Sequence, residues 1–163
     1  VENNVLLGDS KNSDTYLNAA CMKQEVAEMT DGKNTLIGSG GAYLSGGQAK
    51  RLAFARTLCH DKPILILDDP FSALDKNTEQ QAFVNLQALA KDSIVLLISH
   101  RLYLFPEMDG VIWMENGKAV TATHEELLKT VPEYKSLYTS QVHTAENGGA
   151  EHDAQKTSEN GDL

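Results

Sequence analysis

Two groups of residues in this chain could do chemistry on a phosphorylated ligand. The first is Leu44-Ser45-Gly46-Gly47-Gln48. A Ser at a helix start offers a hydroxyl, the first N–H groups of a helix lack intrahelical acceptors, and the helix dipole favours negative charge. Ser45, Gly46 and Gly47 could therefore face an anion, and two adjacent glycines would let the backbone approach it closely. The same residues also read as a plain turn. The second group is Asp68-Asp69, directly after the apolar run Ile64-Leu65-Ile66-Leu67. Carboxylates at the carboxyl end of a buried parallel strand lie where open α/β sheets place their ligands. Asp68 could hold Mg²⁺ against phosphate oxygens, and Asp69 could orient or deprotonate an attacking water. A helix cap plus a surface charge accounts for the pair equally. His100 follows a second apolar run, residues 94–98, and the small Ser99; it could donate to a γ-phosphate or be structural. The sequence contains no Gly-x-x-x-x-Gly-Lys-Ser/Thr loop, which ordinarily cradles nucleotide phosphates.

These groups need elements to position them. Residues 14–29 carry Leu17, Ala20, Cys21, Val26 and Met29 among polar neighbours, the pattern of one or two short amphipathic helices. The periodicity breaks over residues 30–41, and Ser45 then stands as the N-cap of a helix through residue 59. Residues 64–67 and 94–98 read as strands buried on both faces, joined by a helix over 77–90, which makes a parallel crossover. Asn116-Gly117 between residues 111–114 and 118–121 predicts an edge hairpin. Thr123 caps a further helix, and Pro132 opens another reaching about residue 141. The fold class expected is α/β and P-loop NTPase-like: a truncated parallel sheet with flanking helices and an edge hairpin.

Bulk properties narrow the partners. A length of 163 residues with 41% apolar content suits one domain, and a formal net charge of −9 argues against nucleic acid or an anionic membrane surface as a direct partner. The apolar runs are far shorter than the roughly 18 residues needed to cross a bilayer, and no signal peptide opens the chain. Val1 in place of Met fits a chain cut from something longer. Cys21 and Cys59 read as reduced, small core residues. His60, His100, His124, His143 and His152 show no close metal-ligand spacing. Residues 142–163, acidic and almost without apolar side chains, are expected to form a disordered tail, with the folded part over 1–141.

Taken in order, Leu44 to Gln48, then residues 64–69, then Ser72-Ala73-Leu74-Asp75, then Ser99-His100 closely resemble the signature motif, Walker B motif, D-loop and switch histidine of the ATP-binding cassette (ABC) ATPases. Residues 1–8 resemble the segment after the glutamine loop, and residues 123–128 the C-terminal segment of exporter-type cassettes. The resemblance implies an ATP- and Mg²⁺-dependent ATPase module of a membrane exporter, at the cytoplasmic face of the cell membrane and attached to a transmembrane domain. It also implies a second ATPase subunit, with ATP sandwiched between the two. Ser45, Gly46, Gly47 and Gln48 would then touch ATP held by the partner, Asp75 would lie in a loop crossing the interface, Asp68 would serve Mg²⁺, and His100 the γ-phosphate in cis.

One position departs from the family. Asp69 stands where a catalytic Glu is usual, which withdraws the base by about 1 Å and points to a heterodimer with one weak site. Two other readings compete: a soluble cassette ATPase of DNA maintenance or translation, and a nonhydrolysing regulatory cassette. The first would carry long coiled-coil insertions or a duplicated cassette, and neither is present in the sequence. Without the phosphate loop the isolated chain is expected to bind and hydrolyse no ATP, and its sheet is expected to keep an unpaired edge.

Overall fold

The computed structural model describes residues 1–142; the acidic segment from residue 143 onward lies outside them. The described residues divide into two compact units, Val1–Ser99 and a second from His100 onward. The first unit opens with three short helices, α1 (Glu2–Leu6), α2 (Ser13–Ala19) and α3 (Lys23–Ala27), and a 3-10 turn at Gly32–Asn34. Helix α4 (Gly46–Cys59) follows, then strand β1 (Ile64–Asp68), helix α5 (Lys76–Leu89) and strand β2 (Ile94–Ile98). The two strands pair in parallel, Ile64 opposite Ile94 through to Asp68 opposite Ile98, so α5 is the expected crossover.

Helix α4 is the spine of this unit. It buries Leu52, Phe54, Ala55, Leu58 and Cys59. Its other contacts are polar and specific. The Arg56 guanidinium donates to the Asn4 carbonyl at 2.7 Å and also meets the Asn4 side chain, which holds α1 against α4. Lys11 Nζ donates to the Cys59 carbonyl at 2.6 Å, placing a cation on the last turn of the helix, where the dipole favours it. Arg51 is largely buried and donates to both carboxylate oxygens of Glu25 on α3, each at 2.5 Å. A single guanidinium nitrogen is shared between the two oxygens, a charge-assisted contact that ties α3 to α4. Cys59 is buried and Cys21 only half-buried, and both are free thiols.

The strands depart from the expectation of burial on both faces. Leu65 and Leu67 are buried, whereas Ile64, Ile66, Ile94, Leu96 and Ile98 form an open apolar face, with Ile66 65% and Ile94 63% exposed. The described residues cover only one side of a two-stranded sheet, so both strands are edges and the wholly apolar composition of 64–67 overstates their burial.

In the second unit, a 3-10 segment (Leu102–Glu107) leads to the hairpin β3 (Val111–Glu115) and β4 (Lys118–Ala122), then to α6 (His124–Thr130) and a helix α7 over 132–142. Asn116 and Gly117 both have positive φ, +49° and +74°, which matches the right-handed twist of the two strands in a two-residue turn. Thr123 caps α6 through a reciprocal Thr123–Glu126 box. The core consists of Leu102, Val111, Leu127 and Tyr134.

At its centre His124 Nδ1 lies 2.6 Å from the hydroxyl of Tyr134, with Trp113 and Tyr138 packed edge-on around the pair. Burial pushes the Tyr134 hydroxyl up to about 12 and lowers His124 below its ordinary 6.5, against the opposing pull of neighbouring Glu125. A histidine with a depressed folded pKa contributes stability that is complete above 6.5 and is lost as pH falls below it. A tyrosine with a raised pKa contributes stability that is complete below 10 and is lost as pH climbs toward 12. Trp113 is the sole tryptophan, so its fluorescence reports this unit. Its thermal midpoint is expected to fall on both sides of a plateau from about pH 6.5 to 10; His124→Gln should remove the first part of the acid limb, between pH 6.5 and 4.5, and leave the fall below 4.5 that the lowered Glu126 carboxyl adds. A fall between pH 6.5 and 4.5 that survives in His124→Gln would contradict this assignment.

Candidate functional site

The first turn of α4 is built by a local code. Ser45 is extended (φ −62°, ψ 161°) and its Oγ accepts from the Gln48 N–H at 3.1 Å, while Gln48 Oε1 accepts from the Ser45 N–H at 2.9 Å. Ser-x-x-Gln is a capping box, and it satisfies two orphan groups reciprocally. The box occupies the N–H of Gln48, one of the first N–H groups of the helix, and the Ser45 N–H is taken by the Gln48 side chain. The donors left to face an anion are the Ser45 O–H, the Gln48 amide nitrogen and the N–H groups of Gly46 and Gly47, which have no acceptor within the helix.

The two glycines differ. A Cβ at Gly46 would meet nothing within 4 Å, whereas a Cβ at Gly47 would lie 2.8 Å from the Cβ of Ala73. Helix α4 and the loop after β1 are thus in direct contact at this point. Further along the same helix, Lys50 Nζ donates to Ser72 Oγ at 2.7 Å, and Phe54 stacks edge-on with Phe71 at 5.5 Å.

Asp68 is exposed at the carboxyl end of β1, and Asp69 is partly buried beside it. Asp69 has φ +46°, a left-handed conformation that Asp and Asn tolerate better than most residues. Its N–H donates to the Ile98 carbonyl at 2.8 Å, which ties the turn to the end of β2. Among the described residues no group of three or more His, Cys, Asp or Glu side chains could hold a metal ion alone. Mg²⁺ at Asp68 would need phosphate oxygens and water to complete its six positions, and an exposed carboxylate suits that arrangement.

Asp75 has a structural role, since its carboxylate accepts from the N–H of Asn77 and Thr78 at 3.1 Å and from the Thr78 hydroxyl at 2.6 Å, capping α5. The Thr78 hydroxyl, ahead of these N–H groups, holds the Asp75 carboxyl below the ordinary carboxylate range. His100 is exposed and opens the second unit, where its carbonyl accepts from the Gln141 side chain at 2.7 Å. Sequence reading singled out Ser45, Gly46, Gly47, Gln48, Asp68, Asp69, Asp75 and His100, and the first unit brings the signature turn against the 71–75 loop. It missed Lys50, Arg51 and Glu25, and it missed the capping role of Asp75, which Asp-x-x-Thr signals on its own.

Fold and site together define an α/β domain that presents anion-facing donors on one helix start and carboxylates at the end of a parallel strand. A profile of the ABC transporter family matches residues 3–72. An ATP-dependent lipid A-core flippase of Ralstonia nicotianae is 43% identical over 129 residues, covering 78% of this chain and 22% of that protein. The flippase of the same description from Mannheimia succiniciproducens is 41% identical over 124 residues, covering 76% and 21%. Among solved structures, that of a bacterial Atm1-family ABC exporter with ATP bound superposes with a TM-score of 0.76 at 29% identity, covering 86% of this chain and 26% of that one. The chain belongs to the ABC transporter family and carries the C-terminal part of an exporter-type ATPase domain. It spans about a fifth of the length of the curated relatives it matches.

Proposed function

We propose that this chain is the signature-bearing part of an ATPase that drives substrate export across a membrane, working at the cytoplasmic face beneath a transmembrane domain. Its site residues serve two nucleotides. Ser45, Gly46, Gly47 and Gln48 contact ATP held by a second ATPase subunit. Asp68 holds Mg²⁺, Asp69 orients water and His100 contacts the γ-phosphate at the chain's own site. Asp75 belongs to the loop that crosses to the partner. ATP supplies the phosphoryl group, and Mg²⁺ would neutralise its oxygens when bound.

The observation that carries this reading is the capped start of α4, where Ser45 and Gly46 are exposed at the first turn of a 14-residue helix whose leading N–H groups have no intrahelical acceptor. Its support is the 43% identity to a protein named as an ATP-dependent flippase. Asp69, in place of a longer Glu, favours a heterodimer in which this chain's own site is the slower one and the partner's site, completed by Ser45, is the faster.

The reading is tested at two levels. The 163-residue chain, titrated with Mg-ATP by calorimetry, is expected to show no saturable binding in the micromolar range, because it contains no Gly-x-x-x-x-Gly-Lys-Ser/Thr loop. Micromolar affinity would overturn that part. The full-length subunit assembled with its partner in lipid vesicles is expected to hydrolyse ATP, with loss of turnover when the Ser45 site is changed. A full-length assembly without ATP turnover would overturn the reading as a whole.

A further inference from the structure

Gly47 invites two explanations. A glycine there could be required because a phosphate must come close to the backbone, which is the reading a helix start suggests. The structure offers another, from within the chain. Gly47, Lys50 and Phe54 are spaced at i, i+3 and i+7, so they lie along one face of α4. They meet Ala73, Ser72 and Phe71, which are consecutive residues of the loop after β1, taken in reverse order. The loop therefore runs down the helix as a strap. A methyl-to-backbone fit fastens it at the top, an ammonium–hydroxyl hydrogen bond in the middle and an edge-on aromatic pair at the bottom.

The top contact is the tightest. A Cβ on Gly47 would come within 2.8 Å of the Ala73 Cβ, closer than real carbon contacts allow. Ala73 Cβ is a rigid appendage of the backbone, so neither side can yield by rotating a side chain; the loop or the helix start has to move. The loop has little freedom to move alone. It is anchored by buried Phe71 and Leu74, and it ends at Asp75, which is committed to capping α5.

We propose that Ala73 is a positioning residue for the signature turn: its methyl group seats in the space left by Gly47, so that the 71–75 loop and the start of α4 form one rigid piece. Gly47 is then glycine to admit Ala73, and its substitution misplaces the Ser45, Gly46 and Gly47 donors by displacing the helix start. This inference rests on the proposed ATPase reading for its functional consequence and on the observed contact for its structural one.

The test is a suppressor experiment. In the full-length subunit assembled with its partner, Gly47→Ala is expected to lower ATP turnover at least tenfold. Adding Ala73→Gly removes the opposing methyl and is expected to restore most of the lost turnover, with the Ala73→Gly single variant measured alongside to give the cost of the added loop freedom. The same pair is read in the 163-residue chain by thermal unfolding, where Gly47→Ala should lower the midpoint and the double variant should recover it. A nucleotide that needs a bare backbone at Gly47 would be hindered equally in both, so turnover that stays at the Gly47→Ala level in the double variant overturns the inference. Midpoints that fail to recover overturn it as well. An unmodified full-length protein without turnover strikes the proposed function, and the midpoints then decide the contact by themselves.

Discussion

Ser45→Asp, introduced into the full-length subunit, is expected to leave the fold intact and to abolish turnover at the site completed for the partner. The capping box gives Ser45 two separable roles. Its oxygen accepts from the Gln48 N–H, and its hydroxyl hydrogen remains for a ligand. Asp ranks with Ser as an N-cap, and its negative charge is favoured at a helix start, so the thermal midpoint should change by no more than about 2 °C. In the proposed site the same charge would face the phosphate of the partner's ATP. Two like charges about 4 Å apart at an effective dielectric of 20 repel by roughly 4 kcal/mol, which corresponds to about three orders of magnitude in rate. Ser45→Ala provides the contrast: loss of the cap costs about 1 kcal/mol of stability, and loss of one donor to the transferring group costs about a hundredfold in turnover. The two variants should therefore rank in opposite order for stability and for activity. Turnover in Ser45→Asp equal to that in Ser45→Ala or higher would rule out a phosphate-facing Ser45.

Where local chemistry dictates local geometry, the sequence and the structure agree. Ser45 with Gln48 and Thr123 with Glu126 are reciprocal caps spaced three residues apart, and Asn116-Gly117 supplies two residues that tolerate positive φ, so α4, α6 and the hairpin follow from short windows. Helix α1 has no such code. It is a five-residue helix with Val5 its one buried side chain, and it is held by Arg56 reaching across from α4 to Asn4. The 3-10 segment Leu102–Glu107 is likewise hidden, because its apolar residues follow no helical or strand period and a proline sits inside it. The strands show the opposite failure. An apolar run reports what a strand tolerates on its faces, and how many layers cover it depends on the elements around it. The candidate site residues were chosen by type and order, and the strap from Phe71 to Ala73 was not legible at all, since a glycine says nothing in sequence about which distant methyl group occupies its space.

Asp69→Glu is expected to raise turnover at this chain's own site while lowering the stability of its turn. Asp69 stands immediately after the strand that ends in Asp68, with its backbone fixed by the 2.8 Å bond to Ile98 and by φ +46°. With the backbone fixed, reach depends on side-chain length. One added methylene advances the carboxylate by about 1 Å, and misplacement on that scale costs on the order of a hundredfold in rate, so recovery of tenfold or more is expected in the assembled full-length protein. The left-handed backbone acts in the other direction. A short Asp side chain tolerates the left-handed region better than a longer one, and the exchange is expected to cost about 1 kcal/mol. Asp69→Asn keeps the shape and the backbone preference and removes the charge, so it should retain the midpoint and lose what turnover this site has. Single-turnover measurements separate this site from the partner's, because only the partner's responds to Ser45. If Asp69→Glu leaves single-turnover hydrolysis at its own site unchanged, Asp69 is not short of reach and the asymmetry between the two sites has another origin.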